Sequence, residues 1–113
     1  MAGQPRKRPA VTSKVDPDLP ADYLTAYEAV DAAGISYRQL DYWANTGLVE
    51  PSIPGHGSGT ARRFSPEDVE ALRVAGDLTR YGVTTRALRR WDRRTRVRVL
   101  DAISVALDGE VDR

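Results

Sequence analysis

With 113 residues, the chain has room for one domain and not two. A hydrophobic share of 41% supports a modest core, while the absence of cysteine and the single histidine, His56, exclude disulfide frameworks, thiolate metal sites and a one-chain imidazole cluster. No apolar run approaches a membrane span and the N-terminus lacks a signal-peptide core, so a soluble, cytoplasmic protein with no membrane partner is expected.

The net charge of +1 conceals strong segregation. Residues 1–14 carry +4, residues 15–61 carry −6, residues 62–98 carry +6 and residues 99–113 carry −3. Separation of this kind points to a polyanionic partner more than the total does. A solvated basic helix face is the plainer alternative.

Taken in chain order, residues 1–20 hold four prolines and little apolar content and read as a flexible basic arm. "TAYEAVDAAG" follows as a short helix: Thr25 and Glu28 form a capping box and Gly34 ends it. Leu24 staples its entry, and Tyr27, Val30 and Ala33 form its apolar stripe. A second capping box, Ser36 with Gln39, starts a helix over Tyr37 to about Asn45, which Gly47 stops. Two short helices joined by a glycine-containing corner have the shape of a helix-turn-helix.

"LVEPSI" is β-prone, with Pro51 suited to an edge strand, and "ARRF" is a second short strand. The loop "PGHGSGT" between them makes residues 51–64 a hairpin wing with a mobile tip. Its three glycines lack the Lys-Ser/Thr of a phosphate-binding loop, so a wing tip is expected there rather than a nucleotide cradle. Ser65 as N-cap, Pro66 at N1 and Glu67 and Asp68 in the first turn open a longer helix. Its buried stripe is Val69, Leu72, Ala75 and Leu78, and Gly82 terminates it. Thr84 or Thr85 caps a fourth helix containing Ala87, Leu88 and Trp91. A final helix, about Arg94 to Leu107, shows Val97, Leu100, Ile103 and Leu107 on one side, and "DGEVDR" frays from its end.

"SYRQLDYWANTGLVEPS", "ARRFSPEDVEAL" and "RYGVTTRAL", in this order, resemble the signature segments of the MerR-type winged-helix family over about residues 24–91. The resemblance implies a mainly α fold, a winged helix-turn-helix of four to five helices with a two-stranded β wing. It divides the chain into an arm at 1–20, a DNA-binding domain at 21–92, a C-terminal helix at 93–108 and a frayed tail at 109–113. The chain departs from the family in three ways. The wing tip is a Gly-rich loop where the family has a short Gly-Tyr turn. Asp41 stands where the family carries an arginine. Only some 20 residues follow Trp91, so the long dimerisation helix and the effector domain are expected to be absent, and sensing by such a domain is not carried over.

For DNA, the recognition helix over residues 36–45 presents Ser36, Tyr37, Arg38, Gln39 and Asp41 to the major groove. Arg38 suits guanine O6/N7 and Gln39 suits adenine N6/N7. Asp41 either accepts from cytosine N4 or orients Arg38. Tyr37 and Tyr42 donate to phosphates, while Leu40 and Trp43 belong to the core. Arg62 and Arg63 alternate on a strand, so one meets the backbone or minor groove while the other braces the hairpin; Phe64, on the Arg62 face, folds under as core. Arg86, Arg89, Arg90, Arg93 and Arg94 form a cationic stripe whose partner is the phosphate backbone. Its alternative is a solvated stripe or one paired with acids of a second chain. The N-terminal "RKR" either enters a minor groove or only solubilises the arm.

No catalytic constellation, cofactor site or metal site is expected, and the chain does not read as an enzyme. The function expected is sequence-specific DNA binding by a transcriptional regulator at the nucleoid, as a homodimer or cooperative array. The dimer seam would be Val97, Leu100, Ile103 and Leu107, and RNA polymerase or a recombinase would be a further partner. An architectural DNA-bending protein of the excisionase type is the first alternative. A protein-interaction adaptor using the acidic half, residues 15–61, is the second.

Overall fold

The computed structural model of the chain describes residues 20–55 and 62–111, with side chains as far as 108. Five helices occupy the described residues: α1 Ala26–Ala33, α2 Tyr37–Thr46, α3 Pro66–Arg80, α4 Thr85–Arg90 and α5 Arg93–Val111.

The starts and stops follow local chemistry. Thr25 and Glu28, Ser36 and Gln39, and Ser65 and Asp68 each form a reciprocal capping box at the N-termini of α1, α2 and α3. Thr84 caps α4 by accepting from the Ala87 N–H. Gly34 and Gly47 close α1 and α2 in the left-handed conformation, at φ 71° and 81°, which a side chain at either position would strain.

α3 is the central element, and α1 and α5 both pack on it. This explains why its buried surface is wider than the single stripe expected. Leu72, Ala75 and Leu78 are buried and Val69 packs against them, but Ala71, Val74 and Gly76 are buried as well. The α1 stripe is shifted from the expected one. Ala26, Ala29 and Ala33 face the core, and Tyr27 is 73% exposed. Small side chains allow α1 to lie close to α3, and the tyrosine has no room between them. Ile35, Leu40, Trp43, Leu48, Val49, Phe64, Leu88 and Leu100 complete the core.

The two-stranded β wing is not present among the described residues. In its place are two isolated bridges. Ile53 and Arg63 exchange backbone hydrogen bonds of 3.1 and 2.9 Å, and Leu24 and Phe64 exchange two of 2.8 Å. The sequence accounts for the shortfall. Pro51 and Pro54 carry no N–H, so the first wing segment has no donors on either side of the Ser52-Ile53 pair. The loop expected at the wing tip, including His56, falls on residues 56–61, outside the described residues.

α5 starts one residue earlier than expected, with the Asp92 carboxylate accepting from the Thr95 N–H at 2.8 Å, and continues to Val111 through residues expected to fray. The expected dimer seam is divided. Leu100 lies in the core of its own domain and Ile103 packs against it, whereas Val97 and Leu107 are exposed. No helix among the described residues is long and apolar enough to cross a membrane.

Candidate nucleic-acid interface

α2 has two edges. Leu40 and Trp43 are buried, and from the opposite edge Arg38 and Tyr42 reach solvent. The corner that sets the angle between α1 and α2 is tied to α3, because the Arg80 guanidinium donates to the Gly34 carbonyl. Arg38 has no hydrogen-bond partner among the described residues. Arg38 and Tyr42 border a recess whose far wall is Thr79 and Thr85, so the start of α4 lies beside the exposed edge of α2. Tyr37, the first residue of α2, stacks on Tyr27 of α1, with ring centroids 5.0 Å apart and an 18° interplanar angle.

Three of the expected base-reading and phosphate-binding roles change. The Gln39 Oε1 accepts from the Ser36 N–H at 3.0 Å, and the Ser36 Oγ accepts from the Gln39 N–H at 3.0 Å. A bidentate pair with adenine needs that carbonyl as its acceptor, so base reading by Gln39 competes with its part in the cap. Asp41 does not orient Arg38. Its Oδ1 receives the Arg62 Nη1 at 2.9 Å. Arg62 is 6% exposed and not at a phosphate-facing surface, its Nη2 donating to Asn45 Oδ1 at 2.8 Å. The reason is strand parity: Phe64 is fully buried, and Arg62, two residues before it, follows it inward. Arg63 takes the opposite face, half-buried, with its Nη1 donating to the Arg62 carbonyl at 3.0 Å.

The arginine stripe also divides. Arg86 and Arg90 are exposed on one side of α4 and line a shallow recess with Thr84, Ala87 and Trp91. Arg89 donates to the Thr46 carbonyl at 3.2 Å, satisfying an orphan acceptor at the end of α2. Arg93 pairs with Asp68 at 3.2 Å, and Arg94 is exposed. Tyr37, Arg38, Tyr42, Arg86, Arg90 and Arg94 are thus exposed and Arg63 is half-buried, Arg62 is withdrawn into the interior, and Asp41 and Arg89 reach solvent while engaged in internal bonds.

Two buried polar groups hold this surface: Arg96, which the sequence did not single out, and Asp68, expected only as a first-turn acid of α3. Arg96 is buried. Its Nε and Nη2 donate to the Leu88 carbonyl at 3.1 and 2.9 Å, and its Nη1 donates to the Leu48 carbonyl at 3.2 Å. Burial, with Arg93 nearby, pulls this guanidinium below its ordinary pKa. The signal was present, since Arg96, Leu100 and Ile103 fall at i, i+4 and i+7, on the face that meets the core. Asp68 is the second. Its Oδ2 accepts from the Ser52 N–H at 2.7 Å and the Ser65 N–H at 3.0 Å, and its Oδ1 faces Arg93. Burial alone would raise this carboxyl, but the hydrogen bonds from Ser52, Ser65 and Arg93 together hold it below the ordinary carboxylate value.

Two capped helices at a fixed corner, followed by two isolated backbone bridges and a central third helix, define a helix-turn-helix protein. Residues 24–80 match the family described as MerR HTH family regulatory protein, and the chain belongs to that family. It is 42% identical over 76 residues to uncharacterized HTH-type transcriptional regulators of Mycobacterium tuberculosis and Mycobacterium bovis, a match covering 64% of this chain. The matched segment spans 34% of the length of those relatives. The fold is similar to that of a MerR-family transcriptional regulator from Bacillus cereus, with a TM-score of 0.51 and 16% identity over 80% of this chain and 71% of that one.

Proposed function

We propose that the chain binds double-stranded DNA in a sequence-dependent manner as a transcriptional regulator. The first turn of α2 enters the major groove and the wing base lies on the flanking backbone. One observation carries this reading: Tyr37, Arg38 and Tyr42 reach solvent from a helix whose two ends are both closed by caps. A guanidinium on such a helix end suits guanine O6/N7, and the two phenols suit phosphate oxygens. Arg63, Arg86 and Arg90 supply sequence-independent affinity around that face. The mycobacterial relatives, named as transcriptional regulators, support regulation over a purely architectural role. A single module of this size buries on the order of 600–1,000 Å² of its surface on DNA, so two copies would act together. The exposed apolar side chains of α5, Val97 near its start and Val105 and Leu107 toward its end, are the groups available for that pairing.

The test is to mix the purified chain with sheared genomic DNA and excess random competitor, and to sequence what it retains. Enrichment of defined promoter sites is expected, and Arg38→Ala is expected to remove the enrichment while general DNA retention persists. Arg86→Ala and Arg90→Ala are expected to weaken binding to every sequence alike and to reduce the salt slope by about one per lost phosphate contact. Retention with no enriched site, lost at moderate salt, would overturn sequence-dependent reading. Clustered repeats at a recombination junction would replace the regulator with an excisionase.

A further inference from the structure

Asp41 and Arg62 are far apart in the chain, yet their side chains form an ion pair of 2.9 Å. Arg62 also donates to Asn45 at 2.8 Å, and the Asn45 amide donates to Asp41 Oδ2 at 3.2 Å, which closes a ring of three side chains. Asp41 and Asn45 lie one helical turn apart, so the ring grips a whole turn of α2 and not a single point. Arg63, the next residue, is held by its own bond to the Arg62 carbonyl and by the backbone exchange with Ile53. The ring therefore ties the backbone next to Arg63 to α2.

We propose that Arg62 is a positioning residue: through Asp41 and Asn45 it fixes the wing-base cation Arg63 relative to Arg38, so that the two engage double-stranded DNA at one set spacing. The proposal rests on the DNA-binding reading above. Opening the ring would leave a buried guanidinium without its carboxylate, a strongly unfavourable state, so the arrangement exists before DNA arrives. The ring also neutralises Asp41, a carboxylate on the helix expected to lie among phosphates. The sign of the Asp41 effect separates this role from direct phosphate binding by Arg62. If Arg62 gripped phosphate, removing Asp41 would release it and delete a repelling charge, and binding would tighten. If Arg62 positions the wing, removing Asp41 loosens binding.

The experiment measures the affinity of the full chain for a site recovered from genomic DNA, at fixed salt, and for the same site with one base pair inserted between its α2-protected and wing-protected segments. The proteins compared are the wild type, Asp41→Ala, Arg62→Ala, the double variant and Arg38→Ala, each with its thermal melting curve. Asp41→Ala is expected to weaken binding about tenfold, with the double variant no weaker than the worse single one. The penalty for the inserted base pair is expected to shrink in every ring variant. Unchanged or tighter binding by a folded Asp41→Ala, or additive losses in the double variant, would overturn the proposal. Should the alanine variants melt below the assay temperature, Asp41→Asn keeps the side-chain shape and one acceptor; a reduced insertion penalty is expected of it, and a wild-type penalty would be the contrary result. Loss of binding in Arg38→Ala beside a neutral Asp41→Ala removes the positioning role alone. A neutral Arg38→Ala removes the DNA reading, and the positioning role with it.

Discussion

The α1–α3 contact and the wing base belong to one small domain and are held by opposite means. α1 turns Ala26, Ala29 and Ala33 inward, and at the corner that follows it Ile35 lies against Gly76 of α3, so this region is apolar and closely packed. The wing base is held by charge and hydrogen bonds: Arg62 with Asp41 and Asn45 on one side, and Asp68 with Ser52, Ser65 and Arg93 on the other. The first region is expected to be intolerant of added volume. The second is expected to be intolerant of lost charge at constant volume.

The contrast breaks first at Gly76. A β-carbon there would meet Ile35 Cγ2 at 2.6 Å. Gly76→Ala gains helix propensity worth about 1 kcal/mol, yet overpacking is expected to outweigh it and leave a net loss of about 1–3 kcal/mol in urea unfolding. A more stable Gly76→Ala would mean that the contact has slack and the comparison fails.

Asp68→Asn, nearly equal in volume, tests the other region. It is expected to cost about 1–2 kcal/mol at neutral pH, because one oxygen acceptor becomes a donor facing N–H groups. The folded pKa of Asp68 is depressed, so its contribution is fully present above the ordinary value of 3.8 and is lost as pH falls through the lower folded value. Melting temperatures taken across that acid range should converge for wild type and Asp68→Asn as the pH drops. Parallel curves would show that the carboxylate charge is not what the wing base uses.

The smallest effect is expected at Tyr27, which belongs to neither region. Its stack on Tyr37 is exposed, so Tyr27→Ala should cost less than about 1 kcal/mol in thermal melting. A larger loss would make the stack a structural part of the α1–α2 corner and sharpen the boundary between the two regions.

Much of the helical framework was legible because its signals are local. Thr25 with Glu28, Ser36 with Gln39, and Ser65 before Pro66 announce helix starts within four residues, and Gly34 and Gly47 announce stops. The phase of α1 is not legible locally, because one tyrosine carries more apolar surface than an alanine, while packing favours the small side chains that let α3 approach. The wing ring joins residues that are distant in sequence, and no local pattern signals it. Still, the inward face of Phe64 was expected, and strand parity carried Arg62 inward with it. The capping residues of α2 served twice in the sequence reading, as caps and as base readers. In Gln39 the two roles compete, because its carbonyl is engaged in the cap.

The prolines of the wing base have an outcome for the behaviour of the protein at high concentration. Between residues 51 and 54, Pro51 and Pro54 have no N–H, that of Ser52 is taken by Asp68, and that of Ile53 is taken by Arg63. A stray extended chain meeting this edge finds no row of donors to pair with. Edge-to-edge aggregation, the usual hazard of a short unprotected strand, has no template along this stretch.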